Sequence, residues 1–124
     1  MSSKPNQAKL SFQIKLDYST QPDLFDGIAK KAAAEISKTK TTQMRNFYEY
    51  VLDLLAKSSD ENFKTEILPF VKMLNSKVAY SNSRGHASDE FADMIKQCIE
   101  QIQNKKDLQT FKYFFEAVLG FSKK

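Results

Sequence analysis

The sequence predicts an all-α protein, a single five-helix bundle with an extended amino-terminal arm. Three observations carry this. Only three Gly and three Pro punctuate 124 residues, too few for many short strands joined by tight turns. Apolar residues make up 41% of the chain, enough for one core in a chain of single-domain length. From Asp23 onward those residues recur with the three-to-four spacing of helices rather than the alternation of strands.

Residues 1–22 are assigned to a flexible or extended arm and residues 23–124 to the bundle. Residues 1–9 are polar and expected to be disordered. In "LSFQIKLDY", Leu10, Phe12, Ile14, Leu16 and Tyr18 alternate with polar positions, which is strand periodicity. No second run of this kind exists, so the segment either packs as an extended arm on the helices or adds to the sheet edge of a partner. The first helix, from Asp23, aligns Leu24, Phe25, Ile28, Ala29, Ala32 and Ile36. "SKTKTTQ" breaks it, and Thr41 or Thr42 is expected to cap a second helix with the stripe Met44, Phe47, Tyr48, Val51, Leu52 and Leu55.

Asp60 is the expected cap of a third helix carrying Phe63, Ile67, Phe70, Val71, Leu74 and Val78. Pro69 lacks an amide donor and implies a kink or break before it. Gly85 marks the stop of that helix. Ser88 opens a fourth helix with Phe91, Met94, Ile95, Cys98, Ile99 and Ile102 on one side. Asp107 opens a fifth with Leu108, Phe111, Phe114, Phe115, Val118 and Leu119.

Catalysis finds little support. His86, the single histidine, lies in a polar loop beside Arg84, and Cys98, the single cysteine, falls in an apolar stripe. Asp89, Glu90 and Asp93 stand at a helix start, where carboxylates favour the dipole. No glycine-rich phosphate loop, zinc spacing or calcium-loop pattern occurs, so no catalytic residue, metal ligand or cofactor is expected. One cysteine allows no intrachain disulfide, and no run approaches the roughly 18 apolar residues of a membrane span. With no secretory leader pattern, a cytoplasmic location is the expectation.

The net charge is +4 and the isoelectric point about 9.1, a mild basic excess. Two basic groups stand out by position. Lys38 and Lys40 precede the second helix and Arg45 lies one turn in, so cations, hydroxyls and free amides converge as in a phosphate site. An ordinary Thr cap with Arg45 paired to Glu49 explains the same residues. In "KVAYSNSRGH", Lys77, Tyr80, Asn82, Ser83, Arg84 and His86 surround a helix end. There Lys77 and Arg84 either meet phosphate or satisfy the last carbonyls, and Tyr80 either stacks on a base or caps the core edge.

Three segments in order bear on that choice. "TTQMRNFYEYV" resembles the Thr–x–x–Gln/Arg–aromatic signature of the small subunit of type III-A CRISPR interference complexes, the Csm complexes. "LNSKVAYSNSRG" resembles that family's Lys–x–x–Tyr–x–x–x–Arg segment. "DLQTFKYFFEAVLGFSKK" resembles its carboxy-terminal Phe–x–x–Phe–Phe–Glu–Ala helix. Together they cover residues 41–124.

The resemblance implies a non-catalytic, RNA-binding protein of five helices. Several copies would line the minor filament of a ribonucleoprotein built on a CRISPR RNA. Its partners would be the guide and target RNA, the backbone and large subunits, and neighbouring copies of itself, in antiviral defence. Arg45, Lys77 and Arg84 would reach RNA phosphate, while Lys38, Lys40 and Tyr80 join the candidate contacts on geometry. The rival reading is a helical protein–protein adaptor or a small DNA-binding regulator. A regulator needs a recognition helix rich in exposed base-reading side chains, and the fourth helix offers Lys96, Gln97 and Gln101 without an arginine.

Overall fold

The computed structural model describes residues 7–122. Five α-helices are present among the described residues, and no strand: α1 Gly27–Glu35, α2 Thr41–Lys57, α3 Leu68–Ser83, α4 Asp89–Ile99 and α5 Lys105–Ser122. The all-α bundle with its extended arm is therefore the observed fold. The expectation of disorder for residues 1–9 falls, for its first six positions, outside the described residues.

At the centre lies an aromatic stack. Phe91 of α4 meets Phe47 of α2 at 5.9 Å and Phe115 of α5 at 6.1 Å, and Phe115 in turn meets Phe111 and Tyr48. α5 packs on α1 and α2, and α3 packs on α4 and α2. The stripes of α4 and α5 are buried as their spacing implies, except that Leu119 is half-buried. Cys98 sits fully inside, where burial pushes its thiol far above the ordinary range and keeps it protonated.

The arm finds its partner in a helix. Down α4 and just beyond it, Asp89, Asp93, Gln97 and Gln101 recur every four residues, a rise of about 6 Å, close to the two-residue rise of an extended chain. The amides of Ala8 and Leu10 donate to the Asp89 and Asp93 carboxylates at 3.2 and 3.1 Å. Those of Ile14 and Leu16 donate to the Gln97 and Gln101 carbonyls at 2.7 and 2.8 Å. The Gln97 and Gln101 amide groups donate back to the Phe12 and Ile14 carbonyls at 3.3 and 2.7 Å. Side chains thus replace a neighbouring strand, and Leu10 and Ile14 go into the core. A bend at residues 11–12 is fixed by Glu35 of α1, which accepts from both the amide and the hydroxyl of Ser11.

Several boundaries differ from the sequence expectation. Residues 22–26 form turns in which the Asp23 carbonyl accepts from Asp26 and Ile28, so α1 begins at Gly27 rather than Asp23. Neither Thr41 nor Thr42 caps α2: Lys40 holds the cap position with extended backbone and no side-chain bond. Asp60 caps nothing in the third segment; instead Asn62 and Ser59 bond each other, and a π-helical turn, Phe63–Ile67, runs into α3. Pro69 then lies in the first turn of α3, where no amide donor is needed. The wide turn shifts the phase of the stripe, so Phe70 is 45% exposed while Val71, Leu74 and Val78 are buried. At α5 the Asn104 side chain, rather than that of Asp107, makes the cap: its Oδ1 accepts from the Asp107 amide at 2.8 Å.

Gln97 is the part of the ladder with most at stake, because it is buried and bonds the arm in both directions. Gln97→Leu leaves the Ile14 amide unpaired and is expected to cost about 2 kcal/mol in urea unfolding, with faster exchange of that amide. A neutral Gln97→Leu with unchanged exchange would mean that apolar contacts alone hold the arm. The Ser11 hydroxyl and amide hold the Glu35 carboxyl below its ordinary value of 4.5. A depressed carboxylate contributes stability above its unfolded-state value and loses it as pH falls through the folded one. The protection of the arm amides, corrected for their intrinsic exchange rate, is therefore expected to fall on acidification, and in Glu35→Gln to lose most of this acid dependence.

Candidate nucleic-acid interface

Two loops bring the start of α2 against the end of α3. Gly85 has φ of 79°, the left-handed conformation that glycine adopts without a Cβ clash. It closes α3 with paired bonds, Gly85 N–H to Asn82 carbonyl at 3.0 Å and His86 N–H to Ser81 carbonyl at 2.9 Å. The chain then turns back across the α1–α2 loop. There the buried Thr39 hydroxyl accepts from the Ser88 amide at 2.9 Å and donates to the Ser88 hydroxyl at 3.0 Å. Ser88 also caps α4 by accepting from Phe91, as its position in the sequence implies. The Lys40 amide donates to the His86 carbonyl at 3.1 Å.

A groove of about 530 Å³ lies between α2 and α3, with Phe47 and Met73 as its apolar lining and His86 also bordering it. Lys77, Tyr80 and Arg84, on one face of α3 by their spacing of three and four, line it. Tyr80 is 64% exposed, so it does not cap the core edge. The Arg84 guanidinium lies 5.6 Å from its ring centre and donates to its hydroxyl at 3.1 Å. Lys77 lies 5.3 Å from the Tyr50 ring. Burial pushes the Tyr50 phenol upward, and its hydroxyl donates to the Phe70 carbonyl at 2.7 Å. Neither Lys77 nor Arg84 uses its side chain to satisfy the end of α3: among the described residues those carbonyls are met by backbone amides and by the Ser83 hydroxyl.

Lys40 is exposed and stands beside the groove through its bond to His86, and Lys38 is exposed two residues earlier in the same loop. Arg45 does not join them. Two residues on from Gln43, it is turned by about 200° around α2. It lines a separate hollow with Thr41, Tyr48, Leu52 and, from α5, Glu116 and Leu119. The Arg45–Glu49 pair is not formed; the ion pair among the described residues is Lys112–Glu116 at 3.3 Å. The cations at both places are therefore exposed and without carboxylate partners in the described structure. Such groups attract polyanions without first having to break an ion pair.

Gln43, on the α2 wall of the groove, was not marked by the sequence reading. Its side-chain carbonyl accepts from the Ser81 hydroxyl at 2.7 Å. Only its one-turn spacing from Phe47 hinted at that position. Asn82 is taken up structurally, donating to the Ala87 carbonyl and the Asp89 carboxylate. Gln97 and Gln101 are taken up by the arm, which leaves α4 without the base-reading face that a DNA-binding regulator requires.

No group of histidine, cysteine and acidic residues suited to a metal ion occurs among the described residues. None of the described helices is long and apolar enough to cross a membrane. Comparison with curated proteins and with solved structures gave no match. The sequence model of the Csm2 type III-A family, in contrast, matches residues 19–124, all five helices but not the arm. By this match the chain belongs to the Csm2 family, the small subunit of the type III-A CRISPR complex.

Proposed function

We propose that the protein binds the sugar–phosphate backbone of RNA in its complex, without catalytic activity, through two separate basic contacts. The observation that carries this is the row Lys77, Tyr80 and Arg84, with Lys40 beside it, exposed along a groove and without carboxylate partners in the described structure. Arg45, around α2, supplies the second contact. Such groups fix position and carry no sequence information, so selectivity stays with base pairing between guide and target. The RNA strands in question are the CRISPR RNA and its target. Neighbouring copies and the backbone and large subunits hold the protein in a minor filament in the cytoplasm.

Each copy neutralises two or three phosphates, which on single-stranded RNA gives a salt slope of roughly −2 at about −0.7 per phosphate. Binding by the free protein is accordingly weak, and assembly supplies the avidity.

Lys77→Ala with Arg84→Ala is expected to shift stability by no more than about 0.5 kcal/mol, as at ordinary surface sites. It should weaken RNA binding equally for unrelated sequences and flatten the salt dependence. Arg45→Ala should add its loss independently, since it belongs to a different hollow. Melting temperature and RNA affinity at two salt concentrations, on free protein and in the assembled complex, check this. Unchanged affinity in a stably folded triple variant overturns the site.

The purified protein is also expected to leave labelled RNA and DNA intact with Mg²⁺ or Mn²⁺. Cleavage that survives purification and vanishes with a point substitution would refute the non-catalytic reading.

A further inference from the structure

A phosphate needs cations, but it has no use for an apolar lining and an exposed ring. The groove between α2 and α3 offers both, which bare backbone binding leaves unexplained. Phe47 and Met73 form its apolar lining, and Tyr80 presents an open ring at its rim. At the side, the Gln43 carbonyl is held by Ser81, and the Gln43 amide nitrogen makes no hydrogen bond among the described residues. The His86 ring, which borders the groove, makes none either. An apolar lining, a π-face, unengaged polar groups at one edge and cations outside together match a nucleotide whose base has left its stack.

From this arrangement we propose that the groove is a stacking site for one unstacked nucleobase of single-stranded RNA. The inference rests on the RNA-backbone reading above and deepens it. The Arg84 guanidinium lies at the hydroxyl end of the Tyr80 ring, 5.6 Å from its centre, and the ring is exposed enough to receive a base. The guanidinium spends one donor on the Tyr80 hydroxyl, and its remaining donors would meet the phosphate of the same nucleotide. Every base has a π-face, so stacking of this kind tolerates any sequence. A base inside an A-form duplex cannot present its face, so the site takes single strands only.

The test uses the full-length protein at low salt, where electrostatic affinity is greatest. Its probes are an RNA strand of about twelve nucleotides, its duplex, and a strand of equal length with abasic riboses. Tyr80→Ser removes the ring, and Tyr80→Phe keeps the ring but loses the hydroxyl. Tyr80 is exposed, so both variants should melt as the parent does. The expected result is roughly tenfold weaker binding of the single strand by Tyr80→Ser, with Tyr80→Phe close to the parent. The abasic strand and the duplex should not respond to either change. Single-strand binding by Tyr80→Ser equal to the parent overturns the stacking site, as does parent binding of the abasic strand as tight as that of RNA. In both cases the backbone reading survives if Arg84→Ala still weakens binding. A parent protein that binds none of the three probes overturns both readings.

Discussion

An extended backbone packed against helices must find partners for its amides and carbonyls, and in this chain one row of side chains supplies them. Asp89, Asp93, Gln97 and Gln101 meet the arm from Ala8 to Leu16, and the rest of the molecule is arranged around that contact. It lets Leu10 and Ile14 add to the core without a sheet. It places a covered face on α4 opposite the apolar face that holds Phe91, Met94 and Cys98. With both faces of α4 occupied, an outward basic surface has to come from elsewhere, and α2 and α3 carry it.

The same economy of partners explains the interface. Loop groups near the groove pair with one another: Thr39 with Ser88, Asn82 with Ala87 and Asp89, Gly85 and His86 with the end of α3. The cations are left over from this accounting. Cations free of carboxylate partners in the described structure suit a subunit that works inside a larger complex.

How far the sequence disclosed this depends on whether each feature is local. α4 and α5 were legible because a Ser cap and unbroken three-to-four spacing are properties of neighbours in the chain. Thr41 and Thr42 signal a cap for α2 by residue type, but Lys40 takes the cap position and the two threonines fall inside the helix, where their hydroxyls cannot cap it. Phe70 belongs to the apolar stripe by plain α-helical spacing but lies outside because a π-turn rotates the stripe, and nothing in the residues marks a turn of that width except Pro69 beyond it. The arm's conformation was legible from its alternation, but its partner was not, since Gln97 and Gln101 lie more than eighty residues away. Lys77, Tyr80 and Arg84 share a face by spacing alone. That Lys40 joins them while Arg45 does not depends on two loops meeting through Thr39 and Ser88.

The central claim is that RNA lies along α2 and the end of α3, not along α4 and its arm. Photo-crosslinking tests it most directly, with the assembled type III-A particle on target RNA carrying 4-thiouridine and the attached peptides mapped by mass spectrometry. The expected crosslinks fall within residues 40–47 and 73–86. Crosslinks confined to residues 10–18 and 96–101, with the α2–α3 groove unmarked, would contradict the account.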